Sequence, residues 1–375
     1  MNDARLPTLS VIIPARNEDD CLGDCLWSLV RQQEAGWELA HARGPGGDSG
    51  GDGEGQWEII VVNDGSTDGT REIAASFAGV STLDAPRLEK GWTGKAHAAW
   101  TGYEAALGMW LLFTDADTLH EPGHVRLAMI EAERHGVGML SYSPRQVVQG
   151  WAQRAVMPLI FGDLAATYPP AKVNDPSKLT AAANGQFLLV RRDAYEKLGG
   201  HRAVKSAILE DVELAVLAKR RKVGLRFRYA PEAVSARMYR SFAAMWEGWT
   251  KNLALLFGNA PALAGMRLVQ LAVLAGIPAL MAFLAWGLGG ARMSAAASGV
   301  LALPMAIAAL GIVWLRALWG FYSRVAKSGF AWRDWVWAPL GIPLYAAMLW
   351  RSWFLHNVAR QVVWKGREVK AGFRD

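Results

Sequence analysis

Residues 110–117 read Trp-Leu-Leu-Phe-Thr-Asp-Ala-Asp, an apolar run that ends at two carboxylates. The uncharged run predicts a strand buried on both faces, which is typical of a parallel sheet. Asp115 and Asp117 follow at once, and the alternation of side chains lets both approach one hard cation. Such a cation would bridge diphosphate oxygens and stabilise a departing nucleotide. A solvated turn with a helix cap at Thr118 is the alternative, and two acids alone favour it.

Further buried strands are predicted on the same grounds at residues 9–13, 57–62 and 185–190. They alternate with helical stretches, so we expect an α/β domain with a mainly parallel, Rossmann-like sheet. Ligands of such sheets bind beyond the carboxyl ends of the strands. Asn17 and Glu18 follow the first strand and Asp64 follows the second, so these side chains should meet Asp115 and Asp117 at one edge.

Residues 63–70, Asn-Asp-Gly-Ser-Thr-Asp-Gly-Thr, place polar groups directly after a strand. Asp64 could accept an N–H of a nucleobase, and the glycines would let the backbone approach a ligand. The alternative is an ordinary strand, turn and helix, with the helix capped by Ser66 and Asp68. This alternative is compatible with ligand binding by the same residues.

Residues 91–95, Gly-Trp-Thr-Gly-Lys, lead into a helix that continues from Ala96. Both the helix N-terminus and Lys95 could face a phosphate. The spacing differs from that of a Walker loop, and a surface turn that ends in lysine explains the segment equally well.

Residues 208–213, Ile-Leu-Glu-Asp-Val-Glu, set acids into an apolar stretch that goes on at helical spacing. A carboxylate turned towards a sheet edge there is costly unless it is partnered or catalytic. Asp211, with Glu210 beside it, is therefore a candidate general base for an acceptor hydroxyl. Acids that complement a helix dipole are the alternative.

The second half of the chain carries long apolar stretches. Residues 268–291 and 293–315 contain no charge, and each exceeds the ~20 residues that cross a bilayer. A third stretch, 335–350, is short, so it is predicted either to span or to be re-entrant or interfacial. The basic loop after the second span is expected inside, and without an apolar leader the first domain is expected in the cytosol.

Aromatic residues are frequent just before the first predicted span. An amphipathic helix on the bilayer is expected there, and Trp246 and Trp249 are candidate walls of an acceptor site. The stretch 155–170, interrupted by Asp163 and prolines, is likewise expected to dock on the membrane surface. The net charge of +6 accumulates beside apolar segments, which indicates anionic lipid and not nucleic acid as the partner.

The predicted organisation has four parts. They are a catalytic domain at 7–236 with a disordered Gly- and Asp-rich insertion at 41–56, an interfacial region at 237–260, two to three transmembrane helices within 268–355, and a basic tail at 356–375. Cys21 and Cys25 lie four apart on a predicted helix, and we expect reduced packing residues.

Five motifs in this order resemble the family-2 inverting glycosyltransferases, whose catalytic domain has the GT-A fold. They are residues 11–18 (V-I-I-P-A-R-N-E), 61–70, 114–118, 184–192 and 209–213. The resemblance covers about residues 7–257, and the ordered set is far more specific than any one motif.

The resemblance implies a role for each matching residue. The nucleotide-sugar donor would be bound by Pro14, Ala15, Asn17, Glu18, Asp64, Lys95 and Asp115. Asp115 and Asp117 would hold Mg²⁺ or Mn²⁺. Asp211, with Glu210, would act as the base for direct displacement at the anomeric carbon. Gly185, Gln186, Trp246 and Trp249 would be near the acceptor.

The processive branch of the family carries Q-x-x-R-W after the base, whereas residues 246–252 here read W-E-G-W-T-K-N. The resemblance therefore favours a single transfer, and the chain looks most like the membrane-bound hopanoid-associated and carotenoid-pathway transferases. We expect transfer of a hexose from a UDP- or GDP-sugar to a lipid hydroxyl or carboxyl at the cytoplasmic membrane. Transfer to a polyprenyl phosphate, or a silent membrane protein that binds nucleotide sugar, stays open.

Overall fold

The computed structural model describes residues 8–32, 38–39, 56–290, 297–364 and 367–370. The predicted insertion at 41–56 lies outside these residues, except for Gln56 at the start of a strand. The chain divides into two compact units: unit 1 is Met1–Val147 with Tyr168–Met238, and unit 2 is Val148–Thr167 with Tyr239–Asp375.

The strands are β1 (Leu9–Ala15), β2 (Glu38–Leu39), β3 (Gln56–Asn63), β4 (Val80–Asp84), β5 (Trp110–Phe113), β6 (Thr118–His120), β7 (Met139–Ser143), β8 (Arg145–Gln146), β9 (Leu188–Arg191), β10 (Leu225–Tyr229), β11 (Val234–Ala236), β12 (Gln361–Trp364) and β13 (Arg367–Lys370). The α-helices are α1 (Leu22–Val30), α2 (Thr70–Ser76), α3 (Gly94–Ala105), α4 (His124–Arg134), α5 (Gly150–Thr167), α6 (Pro170–Val173), α7 (Arg192–Leu198), α8 (Gly200–Ala203), α9 (Glu210–Arg220), α10 (Phe242–Leu256), α11 (Ala260–Gly290), α12 (Ala297–Val325), α13 (Trp332–Trp335) and α14 (Ala338–Phe354).

An eight-stranded sheet forms the centre of unit 1, in the order β10-β7-β9-β5-β1-β3-β2, with β4 also paired to β3. β1 pairs in parallel with both β3 and β5, whereas β9 runs antiparallel between β5 and β7. The prediction of an α/β domain with a mainly parallel sheet is thus confirmed. The strand predicted at 185–190 is β9, which begins three residues later. A smaller sheet has the order β6-β11-β8.

The apolar runs form strands because both faces of the sheet are covered. Val11 and Ile13 belong to one buried cluster with α1, while Ile12 belongs to a second cluster with α3. Successive side chains of a strand point to opposite faces, so a continuous apolar run is what two helix layers require. β1 extends two residues beyond Ile13, the last residue of the predicted strand, because Pro14 and Ala15 still pair with Val62 and Asn63.

Unit 2 contains α5, α10 to α14 and an antiparallel pair of strands, β12 and β13. α5 is buried along most of its length, so the predicted docking of 155–170 on a membrane surface is wrong. The prediction fails because Asp163, which seemed to require water, forms an ion pair with Arg267 of α11. A buried charge that is paired does not force its helix to the surface.

Two helices are long and apolar enough to cross a membrane. Within the described residues these segments are Ala260–Trp286, with a mean hydropathy of 2.2, and Ala302–Ser328, with 1.7. They correspond to the two stretches predicted as spans. The third stretch forms α14, which has 17 residues and is not among the candidate spans.

Candidate active site

The loops after β1 and β3 are locked together at the carboxyl edge of the sheet. The backbone N–H of Asp64 donates to the carbonyl of Ala15 at 2.8 Å. Asn17 adopts a left-handed conformation with φ 53°, and its side-chain Oδ1 accepts from the backbone N–H of Thr67 at 2.9 Å. Asparagine tolerates this conformation better than most residues. The residues predicted to bind the nucleotide sugar after β1 and after β3 are therefore neighbours. Hydrogen bonds of the backbone hold most of this arrangement.

Glu18 and Asp64 occupy the same edge. The N–H of Glu18 donates to Thr70 Oγ1 at 2.8 Å, and Arg16 Nη1 donates to the carbonyl of Asp64 at 2.6 Å. Asp64 is only 6% exposed. Asp68 accepts from the hydroxyl and the N–H of Thr70. The helix cap predicted at Ser66 and Asp68 is wrong, because the N-cap of α2 is Gly69 without a side-chain cap and Ser66 Oγ accepts from the N–H of Asn17.

Lys95 links the end of β5 to the start of α9. Its Nζ lies 2.7 Å from Asp115 Oδ1 and 3.1 Å from Glu210 Oε1. Thr93 caps α3 by accepting from Ala96 N–H, which fixes Lys95 in the first turn. Burial alone would lower the pKa of Lys95, but Asp115 and Glu210, with Asp211, outweigh it and hold the pKa well above its usual range. The ammonium group is thus a permanent cation between the two predicted halves of the site.

Asp211 lies beside this link and is held by backbone donors. Gly185 N–H donates to its Oδ2 at 2.7 Å and Val212 N–H to its Oδ1 at 2.8 Å. Burial and then Glu210 raise its pKa to about 6, against the opposing effects of Lys95 and both backbone donors. A Cβ atom at Gly185 would lie 2.7 Å from Lys95 Nζ, so a side chain there would displace the ammonium group. The carboxylate is therefore fixed in place and more basic than usual.

Asp117 is oriented by a residue that the sequence suggests for the acceptor. Gln186 Nε2 lies 3.3 and 3.4 Å from the two carboxylate oxygens of Asp117. Gln186 is 1% exposed and is itself held by Gln146 and Thr114. Burial, then Asp115 and Glu18, raise the pKa of Asp117 to about 7. Gln186 thus orients Asp117. Its amide is buried, which corrects the prediction that Gln186 contacts an acceptor.

The carboxylates fit a divalent cation that is shared with a ligand. Asp117 is buried among like charges, and negative groups outnumber the single ammonium of Lys95 in this cluster. In the part of the chain that the structure describes, no three His, Cys, Asp or Glu side chains converge as a complete metal site. Mg²⁺ is commonly held by one or two carboxylates plus substrate phosphates, which is what Asp115 and Asp117 could offer.

A small cavity lies between the residues predicted to bind the nucleotide sugar and the predicted base Asp211. Its lining includes Pro14, Phe113, Asp115, Gly185, His201 and Asp211. Gly185 lines this cavity, and its position near the acceptor stays a prediction. The sequence did not indicate His201, whose pKa is lowered to about 3 by burial and then by Lys95. Its Nδ1 meets the hydroxyl of Tyr195 at 2.8 Å, so it packs as a neutral ring. An isolated histidine in a helical stretch of sequence does not indicate that its side chain lines a cavity.

The two predicted acceptor tryptophans belong to α10 in unit 2. Trp249 is 2% exposed, its indole N–H donates to Met157 Sδ at 3.0 Å, and its ring meets Phe161 edge to face. It is a packing residue and offers no surface to an acceptor, which corrects the prediction. Trp246 is half-buried and lies beside Phe242, with ring centroids 6.1 Å apart.

Known proteins similar to this chain include bacterial and archaeal transferases. The 4,4'-diaponeurosporenoate glycosyltransferase of Staphylococcus aureus (strain USA300) is 27% identical over 255 residues, which are 66% of this chain and 60% of the relative. The chain thus spans about 60% of the length of the curated relatives that it matches.

Solved structures with a similar fold include the mannosyltransferase PcManGT from Pyrobaculum calidifontis in complex with GDP-Man and Mn²⁺, at 19% identity and a TM-score of 0.48 over 95% of this chain and 89% of that chain. Glucosyl-3-phosphoglycerate synthase from Mycobacterium tuberculosis, in complex with Mn²⁺, UDP-Glc and phosphoglyceric acid, has 18% identity and a TM-score of 0.41 over 67% and 79% of the two chains.

The family described as Glycosyl transferase family 2 matches residues 10–199, which include β1, β3, β5 and β9 with the acids that follow the first three strands. The match covers 190 of the 375 residues. The mixed, mainly parallel sheet is the GT-A arrangement, and the chain belongs to glycosyl transferase family 2.

Proposed function

We propose that this chain transfers a hexose from a UDP- or GDP-sugar to a hydroxyl or carboxyl group of a membrane lipid, with inversion at the anomeric carbon. The observation that carries the proposal is the link made by Lys95, which joins Asp115 on the donor side to Glu210, next to the base Asp211. Donor and base residues therefore share one cavity, as a direct displacement requires.

The donor would bind along the sheet edge. Asp64 and Glu18 would accept hydrogen bonds from the nucleoside, and Lys95 would face the diphosphate. Asp115 and Asp117 would hold a divalent cation, whose positive charge offsets the charge that develops on the leaving diphosphate. Gln186 would keep Asp117 oriented by its amide.

Asp211 would act on the acceptor. As the acceptor oxygen forms its bond to the anomeric carbon, the bond from that carbon to the diphosphate oxygen breaks, and the hydroxyl proton passes to Asp211. The two backbone N–H donors hold the carboxylate in place for this transfer. A pKa of about 6 leaves most of the group ionised at neutral pH while making it a better base than a free aspartate. Single attack from one side gives inversion.

A lipid acceptor is supported by composition and by relatedness. The described part of the chain carries two helices long and apolar enough to cross a membrane, and the similar Staphylococcus aureus protein is named 4,4'-diaponeurosporenoate glycosyltransferase. We therefore assign residues 7–236 to catalysis in the cytosol, 237–260 to the membrane interface, 268–355 to the spans and 356–375 to a basic tail on the cytoplasmic membrane.

The test uses full-length protein in detergent with radiolabelled UDP-glucose, UDP-galactose, GDP-mannose and a bacterial lipid extract, with products identified by mass spectrometry. We expect a glycolipid in the presence of Mn²⁺ or Mg²⁺, loss of product with EDTA, and loss in Asp117→Ala and in Asp211→Asn. Asp193→Asn, at an exposed acid paired with Arg191, is the matched control and should retain activity.

Transfer that survives EDTA, or that stays near wild type in both variants, would overturn the proposal. Activity kept in Asp211→Asn but lost in Asp117→Ala would identify an acceptor that needs no base because it is already anionic, either a lipid carboxylate or a polyprenyl phosphate, and would exclude a hydroxyl.

A further inference from the structure

We propose that an apolar groove in unit 2 holds the hydrocarbon chain of the lipid acceptor, an inference that rests on the proposed function. The groove, called here the chain groove, is lined by Trp151, Phe242, Leu340, Pro343, Leu344 and Ala347. These residues come from α5, α10 and α14, all within unit 2. Its volume of about 570 Å³ lies in the range of ~300–1,000 Å³ that is usual for small-molecule sites.

The lining selects hydrocarbon. None of the six side chains is charged, and the indole N–H of Trp151 is the one hydrogen-bonding group among them. A polar ligand would lose its hydration there without compensation. Trp151 is 69% exposed and Leu340 65%, so apolar surface faces outward in this unit. Such a patch usually marks a binding surface for a partner, a membrane or a ligand.

The groove lies on a helix whose opposite face is already committed to packing. Ile342, Tyr345 and Leu349 of α14 are fully buried, and a Cβ atom at Gly341 would collide with the carbonyl oxygen of Ala155. This close approach fixes the rotation of α14 against α5, so Leu340, Leu344 and Ala347 lie to the side of that contact, where Trp151 of α5 lines the same groove. The outward face of α14 is nevertheless apolar, which a water-facing helix would not be.

The length of α14 favours a ligand over a span. Its 17 residues measure ~25 Å, short of the ~30 Å hydrocarbon core. A helix that does not need to cross still keeps Leu340, Leu344 and Ala347 in one apolar row, spaced three to four residues apart. A concave site on that row encloses one chain, whereas contact with bulk lipid needs only a convex surface.

The charges near the groove suit an amphiphile with an anionic head. Arg351 is exposed one helical turn beyond Ala347. Arg154, three residues after Trp151, pairs with Asp334 at 3.5 Å, so the two arginines outnumber the one carboxylate among these residues. A symmetric pairing with a second copy would bring the arginines of both copies towards one another, which is unfavourable.

The test uses the full chain in lipid nanodiscs with a diazirine-bearing palmitic acid as the probe, and the labelled residues are mapped by mass spectrometry. We expect labels on the groove residues, competition by the lipid extract that supports transfer, and a fall of about tenfold in Ala347→Trp, since its indole displaces methylenes of the chain. Ala308→Trp, on the exposed surface of α12, is the matched control and should leave the labelling unchanged.

Labels spread evenly over the exposed faces of α11 and α12, without competition, would overturn the proposal in favour of bulk lipid. A halved particle mass for Ala347→Trp in light scattering would overturn it in favour of a second copy. Donor turnover without lipid is measured in parallel, and we expect both variants to match wild type there. Absence of transfer to the lipid extract by the wild type would contradict the proposed function, whereas the labelling decides the groove by itself.

Discussion

Each unit contains a cluster of charged side chains around buried acid, and the two clusters balance their charge differently. In unit 1, Lys95 is the cation set among Asp115, Glu210 and Asp211, and Asp117 lies buried near them. In unit 2, Asp163 accepts from Arg267 on both oxygens and from the hydroxyl of Tyr345 at 3.1 Å, with Arg324 Nη1 3.8 Å away.

The difference separates a site from a scaffold. Carboxylates buried with too few cations disfavour the folded state, and such groups are retained where a ligand supplies the missing charge. A carboxylate with a full set of donors has no capacity left for a ligand, and it stabilises only the arrangement that pairs it. On this reasoning we propose that the cluster of unit 1 is functional, whereas the cluster of unit 2 joins α5 to α11.

The largest effect on stability is expected from Arg267→Met. It leaves Asp163 buried without its main partner, which costs about 3–5 kcal/mol. Thermal unfolding followed by circular dichroism in detergent would measure the loss. Asp117→Asn is the counterpart in unit 1 and should unfold at or above the wild-type temperature at pH 7.5, because it removes one of several like charges. Equal losses in the two variants would break the comparison.

A second prediction concerns the pH dependence of transfer. Asp211 must be ionised to take a proton, so kcat/KM should fall about tenfold per pH unit below pH ~6. Lys95→Met removes a cation that lowers the pKa of Asp211, and it should therefore move this acid limb to higher pH. The limb is read from initial rates with the radiolabelled donor, and Arg71→Met serves as the control. A limb that does not move would contradict the assigned role of Lys95.

The same raised pKa has the opposite consequence for folding. Folded Asp211 holds its proton up to about pH 6, whereas in the unfolded chain the proton leaves near the ordinary value of 3.8. The contribution of this group to stability therefore falls as the pH rises through that window. Activity and stability of the cluster are expected to change in opposite directions with pH.

A third prediction tests whether a ligand supplies the missing charge in unit 1. Mn²⁺ together with UDP or GDP should raise the unfolding temperature, with a stabilisation of ~2.7 kcal/mol at a hundred times Kd. The rise should disappear in Asp115→Asn and in Asp117→Asn and persist in Asp193→Asn. Thermal scans with and without the ligands provide the measurement. A rise that persists in both site variants would show that the cation binds elsewhere.

Much of the sheet and of the site edge could be predicted from sequence because the signals are local. Apolar runs at β1, β3 and β5 report burial on both faces, and the acids that follow each run must lie at the same edge. The antiparallel direction of β9 could not be predicted, since a short apolar run carries no information about its direction.

The errors arose where a polar residue has a partner that is distant in sequence. Asp163 seemed incompatible with a buried helix, but its partner Arg267 lies 104 positions away. Gln186 seemed available to an acceptor, yet its amide is committed to Asp117, 69 positions earlier. Single side chains give no sign of such pairs, because pairing is decided by the tertiary fold.

The smallest effect is expected from Arg71→Ala, which removes an ion pair that is exposed to solvent. Arg71 Nε lies 3.1 Å from Asp84 Oδ2, and their side chains are 57% and 55% exposed. Water replaces the lost partner, and Asn63 Nδ2 still donates to Asp84, so the loss should stay below ~0.5 kcal/mol with unchanged transfer. Thermal unfolding measured beside Arg267→Met makes the contrast direct. If the exposed pair cost as much as the buried one, then the presence of a pair, and not its burial, would set the energy, and the distinction between the two clusters would lose its physical basis.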